Sequence, residues 1–171
     1  VDVAHAHGVK VAAHAHGAQS IKDAILAGAD TVEHASLIDD EAIRLAKEHG
    51  TALSMDVYNG DWIDTVGREE KWPEEFLRKN VETTEAQRQG FTRAHAAGVD
   101  IVYGTDAAVY PHGLNARQFP IMVQRGMTPM EAIQSATALA AQKFRPSSAI
   151  QRKSAFPSTR RNGERRAPSR V

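Results

Sequence analysis

The stretch Lys10–Leu37, KVAAHAHGAQSIKDAILAGADTVEHASL, switches between two periods. Lys10–His14 is a short run of Val and Ala without polar alternation, the pattern of a strand buried on both faces of a parallel sheet. Gly17 breaks it. Ser20 is the expected N-cap of a helix over Ile21–Ala27, with Asp23 at the third helical position in the manner of a capping box. Ile21, Ala24, Ile25 and Gly28 recur at i, i+3, i+4 and i+7 and so share one face. Gly28 ends the helix, and Thr31–His34 is the next strand. The first strand closes on His14 and His16, the second on His34.

The same unit repeats outward. Val1–His7 reads as a helix end closed by Gly8, so the chain opens like part of a longer protein. Asp39 and Asp40 supply a cap and first-turn acid for a helix over Glu41–His49, which ends at Gly50. Thr51–Asp56 (TALSMD) is a third strand. Val57–Pro73 reads as a long irregular segment holding Gly60, Gly67 and both tryptophans. Glu74–Ala97 is expected to form one long helix or two, and Ile101–Gly104 a fourth strand leading into Thr105 and Asp106. Ala107–Phe119 reads as a loop and Pro120–Arg125 as a helical turn. Thr128, Pro129 and Glu131 mark the start of a helix over Met130–Gln142.

Strands that alternate with helices argue an α/β fold with a parallel sheet. The polar residues gather at the C-terminal ends of the strands, where (β/α)8 barrels and open α/β sheets build their sites. Four units make half of an eight-unit barrel. Such a half leaves two strand edges unpaired, which lowers stability and allows self-association through those edges.

Composition narrows the setting. The chain has 171 residues, formal net charge +0 and no cysteine. Disulfides and thiolate metal sites are excluded, which fits a reducing, cytoplasmic compartment. No apolar run approaches the length of a membrane span. The neutral total hides a split: residues 1–142 carry 12 basic and 20 acidic residues, whereas residues 143–171 carry nine basic residues and one acid, Glu164. That Arg/Pro/Ser-rich end lacks helical or strand period and reads as a disordered basic tail. Its abrupt onset is also what translation in a shifted reading frame produces. Its arginines have no interleaved aromatics, so nucleic-acid binding is not assigned.

Imidazole nitrogen and carboxylate oxygen are the usual ligands of a hydrolytic zinc ion, so His14, His34 and Asp106 at three strand ends form a candidate metal site. Each has an ordinary alternative role: His34 as a core or capping histidine, Asp106 as the cap of the following turn. His16 shares a face with His14 if the strand continues that far, and serves the loop above the site if Gly17 bends the chain earlier. His5 and His7 lie two apart on a helix and share no face. His49 suits a helix C-terminal turn, and His95 is expected on a solvated helix face. His112, in the loop after Asp106, and Tyr58, in the long segment with Asn59, Asp61 and Trp62, are candidate substrate contacts.

With these residues in place, the chain resembles the C-terminal half of a metal-dependent amidohydrolase, nearest the imidazolonepropionase-like and Xaa-Pro dipeptidase (prolidase-like) branch. VAAHAHG (Val11–Gly17), AILAGADTVEHASLID (Ala24–Asp39), GVDIVYGTDA (Gly98–Ala107) and GMTPMEAIQSATALAA (Gly126–Ala141) carry the resemblance across residues 1–142. It implies a partial (β/α)8 TIM barrel, about its fifth to eighth strands with their helices. It also implies one or two zinc ions in the parent, or another divalent metal. His14 then matches the metal histidine after the fifth strand and His34 the one after the sixth. Asp106 matches the aspartate after the eighth, which binds metal and acts as general base and acid. His16 contacts substrate. The HxH pair of the family's first strand and the carboxylated lysine of its fourth have no counterpart here. The implied reaction is hydrolysis of an amide, peptide or cyclic amide C–N bond in a small or dipeptide-like substrate. The implied activity of these residues alone is weak or absent. The alternative is a non-catalytic half-barrel that assembles with a partner chain.

Overall fold

The computed structural model describes residues 1–145, and the tail expected over residues 143–171 lies outside them beyond Arg145. Four strands, β1 (Ala12–Ala15), β2 (Thr31–His34), β3 (Ala52–Ser54) and β4 (Ile101–Val102), form one parallel sheet in the order β1-β2-β3-β4. His14 pairs with Glu33, Glu33 with Ser54, and Ser54 with Val102. Paired residues of a parallel sheet share a face, so one face carries His14, Glu33 and Ser54. The opposite face carries Ala15, Val32, Leu53 and Ile101, all buried.

Helices cover that second face. The helices of the described residues are α1 (Asp2–Ala6), α2 (Ala18–Leu26), α3 (Asp40–His49), α4 (Asn59–Glu69), α5 (Glu74–Ala96), α6 (Gln118–Gln124), α7 (Pro129–Ser135) and α8 (Ala138–Lys143), with a 3-10 turn at His112–Arg117. Ile21 and Ile25 of α2, Ala42 and Ala46 of α3, and Phe91 and Ala94 of α5 pack with the buried strand residues in one cluster. On β1, Ala12 and His14 are exposed although their register partners' neighbours in β3 are buried. Among the described residues this face of β1 is therefore left uncovered.

The expected caps at Asp39 and Thr128 form. Asp39 Oδ1 accepts from the Ala42 amide at 2.8 Å, and Thr128 and Glu131 complete a capping box. Gly50 closes α3 in the left-handed conformation, φ 69°. Other expectations are corrected. Helix α2 begins at Ala18 with Gly17 as its N-cap, and Ser20 Oγ instead donates back to the Gly17 carbonyl at 2.9 Å. Met130–Gln142 is two helices, broken at Ala136–Thr137. Helix α8 takes in Lys143, whose Nζ lies 2.6 Å from Asp100 Oδ2, so regular structure runs into what composition assigns to the tail.

The largest correction is at Val57–Pro73, which holds the eleven-residue helix α4 rather than an irregular loop. Its glycines are contact points, not breaks. A Cβ on Gly60 would lie 1.8 Å from Thr84 Oγ1 and 2.7 Å from Thr84 Cβ. One on Gly67 would lie 2.6 Å from Leu77 Cδ2. Their bare backbone lets α4 lie close along α5, which is a single 23-residue helix. Among the described residues no helix is long and apolar enough to cross a membrane.

Candidate metal centre

Strand β1 brings His14 and His16 to the C-terminal edge of the sheet. Strict alternation would send His34 to the helix-covered face with Val32. Instead its backbone is left-handed, φ 69°, followed by Ala35 at φ 46°, and its ring turns beside those of β1. The ring centroids of His14, His16 and His34 lie 4.5–4.7 Å apart. Asp106, after β4, is also left-handed at φ 49°. This conformation is uncommon for residues with a Cβ and costs on the order of 1 kcal/mol or more, so packing must hold it.

Two overlapping sets of ligand atoms result: His14, His16 and His34, and His34, Asp56 and Asp106, each lying within 4.8 Å. His34 belongs to both. Its Nδ1 lies 3.0 Å from Asp56 Oδ1, which leaves Nε2 for a metal. Gln87, from the middle of α5, donates through Nε2 to Asp56 Oδ1 at 2.8 Å and to the His34 carbonyl at 3.0 Å. Asn59, at the start of α4, donates through Nδ2 to Asp56 Oδ2 at 2.6 Å and to Asp106 Oδ2 at 3.4 Å. His16 Nδ1 lies 2.9 Å from Ser36 Oγ.

The charges follow from this geometry. Burial pushes the Asp56 carboxyl up, but hydrogen bonds from His34 and Gln87 outweigh it and hold the group below the usual carboxylate range. The bond to Asp56 raises His34 above the usual histidine value against the opposing effect of burial. His16 is lowered by burial and then by His34 and His14 beside it. A neutral imidazole is the form that binds metal.

The cluster borders a cavity of about 210 Å³ lined by His14, Glu33, His34, Ser54, Asp56, Gly104, Thr105 and Asp106. A second cavity, of about 350 Å³, adds His16, Asn59 and residues of α4 and α5. A set of imidazole nitrogens and carboxylate oxygens around a polar cavity fits zinc, and equally Mn, Fe or Co. The buried Asn59 Oδ1 has no hydrogen-bond partner among the described residues.

His14, His16, His34 and Asp106 thus come together. Tyr58 does not join them. It is buried, its ring meets Tyr110 edge-on with centroids 5.0 Å apart, and its hydroxyl accepts from Arg117 Nη1 at 3.1 Å. It lines neither cavity. His112 is exposed at the start of the 3-10 turn and also lines neither cavity. His95, expected to be solvated, lies 3.7 Å from Glu131 with its side chain only 25% exposed. His5 pairs with Asp30 at 2.8 Å. Asp56 and Gln87 are the residues that sequence reasoning misses. Asp56 ends the expected third strand just as His34 ends the second, and that matching position was its signal, although β3 itself stops at Ser54. Gln87 carries no local signal.

Residues 1–146 match the model of the amidohydrolase family, and the chain belongs to that family. Ochratoxinase of Aspergillus niger is 37% identical over 129 residues, covering 75% of this chain and 26% of the relative. Its crystal structure superposes with a TM-score of 0.73 over 85% of this chain and 33% of that one, at 33% identity. A Xaa-Pro dipeptidase crystallised with methionine in its active site gives a TM-score of 0.75 at 38% identity, covering 84% of this chain and 36% of that one. An uncharacterised Mycobacterium bovis protein is 32% identical over 144 residues, 80% of this chain and 37% of the relative. The chain therefore spans between a quarter and two-fifths of the length of these relatives. The four-stranded sheet is part of the parallel α/β barrel of such amidohydrolases.

Proposed function

We propose that these residues form one side of the active site of a metal-dependent hydrolase that splits amide, peptide or cyclic amide C–N bonds with water. The observation that carries this is that His14, His34 and Asp106, at the C-terminal ends of a family-type parallel sheet, line one cavity, with His34 shared by the two sets of ligand atoms. His14 and His34 hold zinc through imidazole nitrogens, and Asp106 contributes a carboxylate oxygen. A bound cation supplies Lewis acidity, polarising the scissile carbonyl and making a water more acidic. Asp106 accepts the proton of the attacking water and delivers it to the leaving nitrogen. Asp56 orients His34, and His16 faces the cavity as a substrate contact. The loop of His112 reaches substrate only by moving toward the cavity. Ochratoxinase and the dipeptidase are the reason for choosing small, dipeptide-like amides as substrates. The absence of cysteine fits a cytoplasmic setting.

Hydrolysis by these residues alone is expected to be weak, because the family's first-strand HxH pair and fourth-strand lysine are not among them. The test is bound zinc and dipeptide hydrolysis, measured for this chain and for a full-length relative. Zinc bound by both, with turnover lost from the relative when the aspartate matching Asp106 becomes Ala, supports the reading. Full turnover in that variant refutes the proton-transfer role.

A second reading, assembly with a partner half-barrel, is favoured by the exposure of Ala12 and His14 on the flank of β1. Sedimentation velocity decides it: a monomer at all concentrations counts against assembly of the chain with itself.

A further inference from the structure

The hairpin of α4 and α5 carries an apolar groove of about 690 Å³, lined by Ile63, Trp72, Pro73, Phe76 and the flanks of Lys79, Asn80 and Thr83. Ile63, Asn80 and Thr83 also line the 350 Å³ cavity that holds His14, His16, His34, Asp56 and Asp106. These three shared residues make the groove the neighbour of the cavity at the candidate metal centre.

Trp72 is fixed in place. Its indole N–H donates to Glu70 Oε2 at 2.8 Å and its amide to the Gly67 carbonyl at 2.8 Å. Its ring lies so close over Gly67 that a Cβ there would sit 3.1 Å from Trp72 Cε3. Yet Trp72 is 40% exposed, and Phe76 beside it is 62% exposed. Adjacent exposed aromatics on rigid elements mark a binding surface. The one cation of the groove, Lys79, is paired with Glu75 at 3.0 Å, which leaves the groove suited to an uncharged group.

We propose that this groove is the subsite for a large apolar or aromatic substituent on one side of the scissile amide. The proposal rests on the hydrolase reading of the metal centre and names the substrate class that site prefers: amides bearing a bulky apolar side group rather than small polar ones. Trp72 and Phe76 are the specificity residues.

The test uses the whole chain, with and without Zn²⁺, and two uncharged probes, N-(1-naphthoyl)glycine amide and N-acetylglycine amide, in calorimetric titrations. The naphthoyl probe is expected to bind about tenfold tighter, as partial burial of an aromatic ring provides. Phe76→Ala should remove most of that preference. Phe76 is too exposed for its loss to threaten folding, which circular dichroism checks. Trp72→Ala should act alike and Trp72→Phe should retain the preference. The naphthoyl preference should persist when Zn²⁺ is left out, so failure of the subsite and failure of the metal centre read out separately. Equal binding of the two probes, no binding of either, or a preference that Phe76→Ala leaves unchanged overturns the proposal. A change in sedimentation with Phe76→Ala, in place of a change in probe preference, also overturns it and assigns the groove to contact between chains.

Discussion

His34 Nδ1 lies 3.0 Å from Asp56 Oδ1, so a carboxylate two residues past β3 holds the imidazole that ends β2. Gln87 and Asn59 donate to the same carboxylate from α5 and α4. Asp56→Ala strips three donors of their acceptor in a mostly buried setting. The expected loss of stability is about 1–3 kcal/mol, read from urea unfolding of the metal-free chain. Zinc affinity should fall roughly 10- to 100-fold, as when an oriented ligand loses its partner. Gln87→Leu removes one donor and should cost less on both measures.

Close approach of α4 to α5 rests on Gly60, where a Cβ would overlap Thr84. Gly60→Ala should destabilise by about 1–3 kcal/mol, because the clash includes the Thr84 Cβ, which no rotamer change moves. Gly113, with nothing within 4 Å of an added Cβ, is the control. Gly113→Ala should leave the unfolding midpoint nearly unchanged.

Asp30 ties the start of β1 to the strand beside it. Its carboxylate accepts from Lys10 Nζ at 2.6 Å and from the Val11 amide at 2.8 Å, and it meets His5 Nε2 at 2.8 Å. Burial pushes its pKa up, but these partners prevail and hold it below the usual 3.8. A lowered folded-state value means that stabilisation is present above the unfolded value and lost as the pH falls through the folded one. Asp30→Asn should therefore lower stability by about 1–3 kcal/mol at pH 5 to 7. The gap from the unaltered chain should close below about pH 4, as denaturant midpoints across that range will show.

Much of this arrangement was legible in the residues. The Val/Ala run before His14 and the helix face of Ile21 and Ile25 follow local sequence pattern, and the caps at Asp39 and Thr128 rest on local hydrogen bonds. What escaped depends on distant partners. Gly60 and Gly67 look like loop residues until α5 lies against them. Gln87 looks like any polar helix residue until the turn at His34 presents its carbonyl. The left-handed backbone at His34 breaks the alternation that strand reading assumes. Nothing local to Tyr58 shows that Tyr110 and Arg117 pack against it.

On the proposed reading, His14, His34 and Asp106 hold one divalent cation between them. Titration of the chain with Zn²⁺, followed by calorimetry against a competing chelator, tests it most directly. The account predicts one saturable site, with affinity falling at least tenfold in each of His14→Ala, His34→Ala and Asp106→Ala. Affinity in His112→Ala should stay unchanged. Zinc binding that survives the loss of both His34 and Asp106 would contradict it.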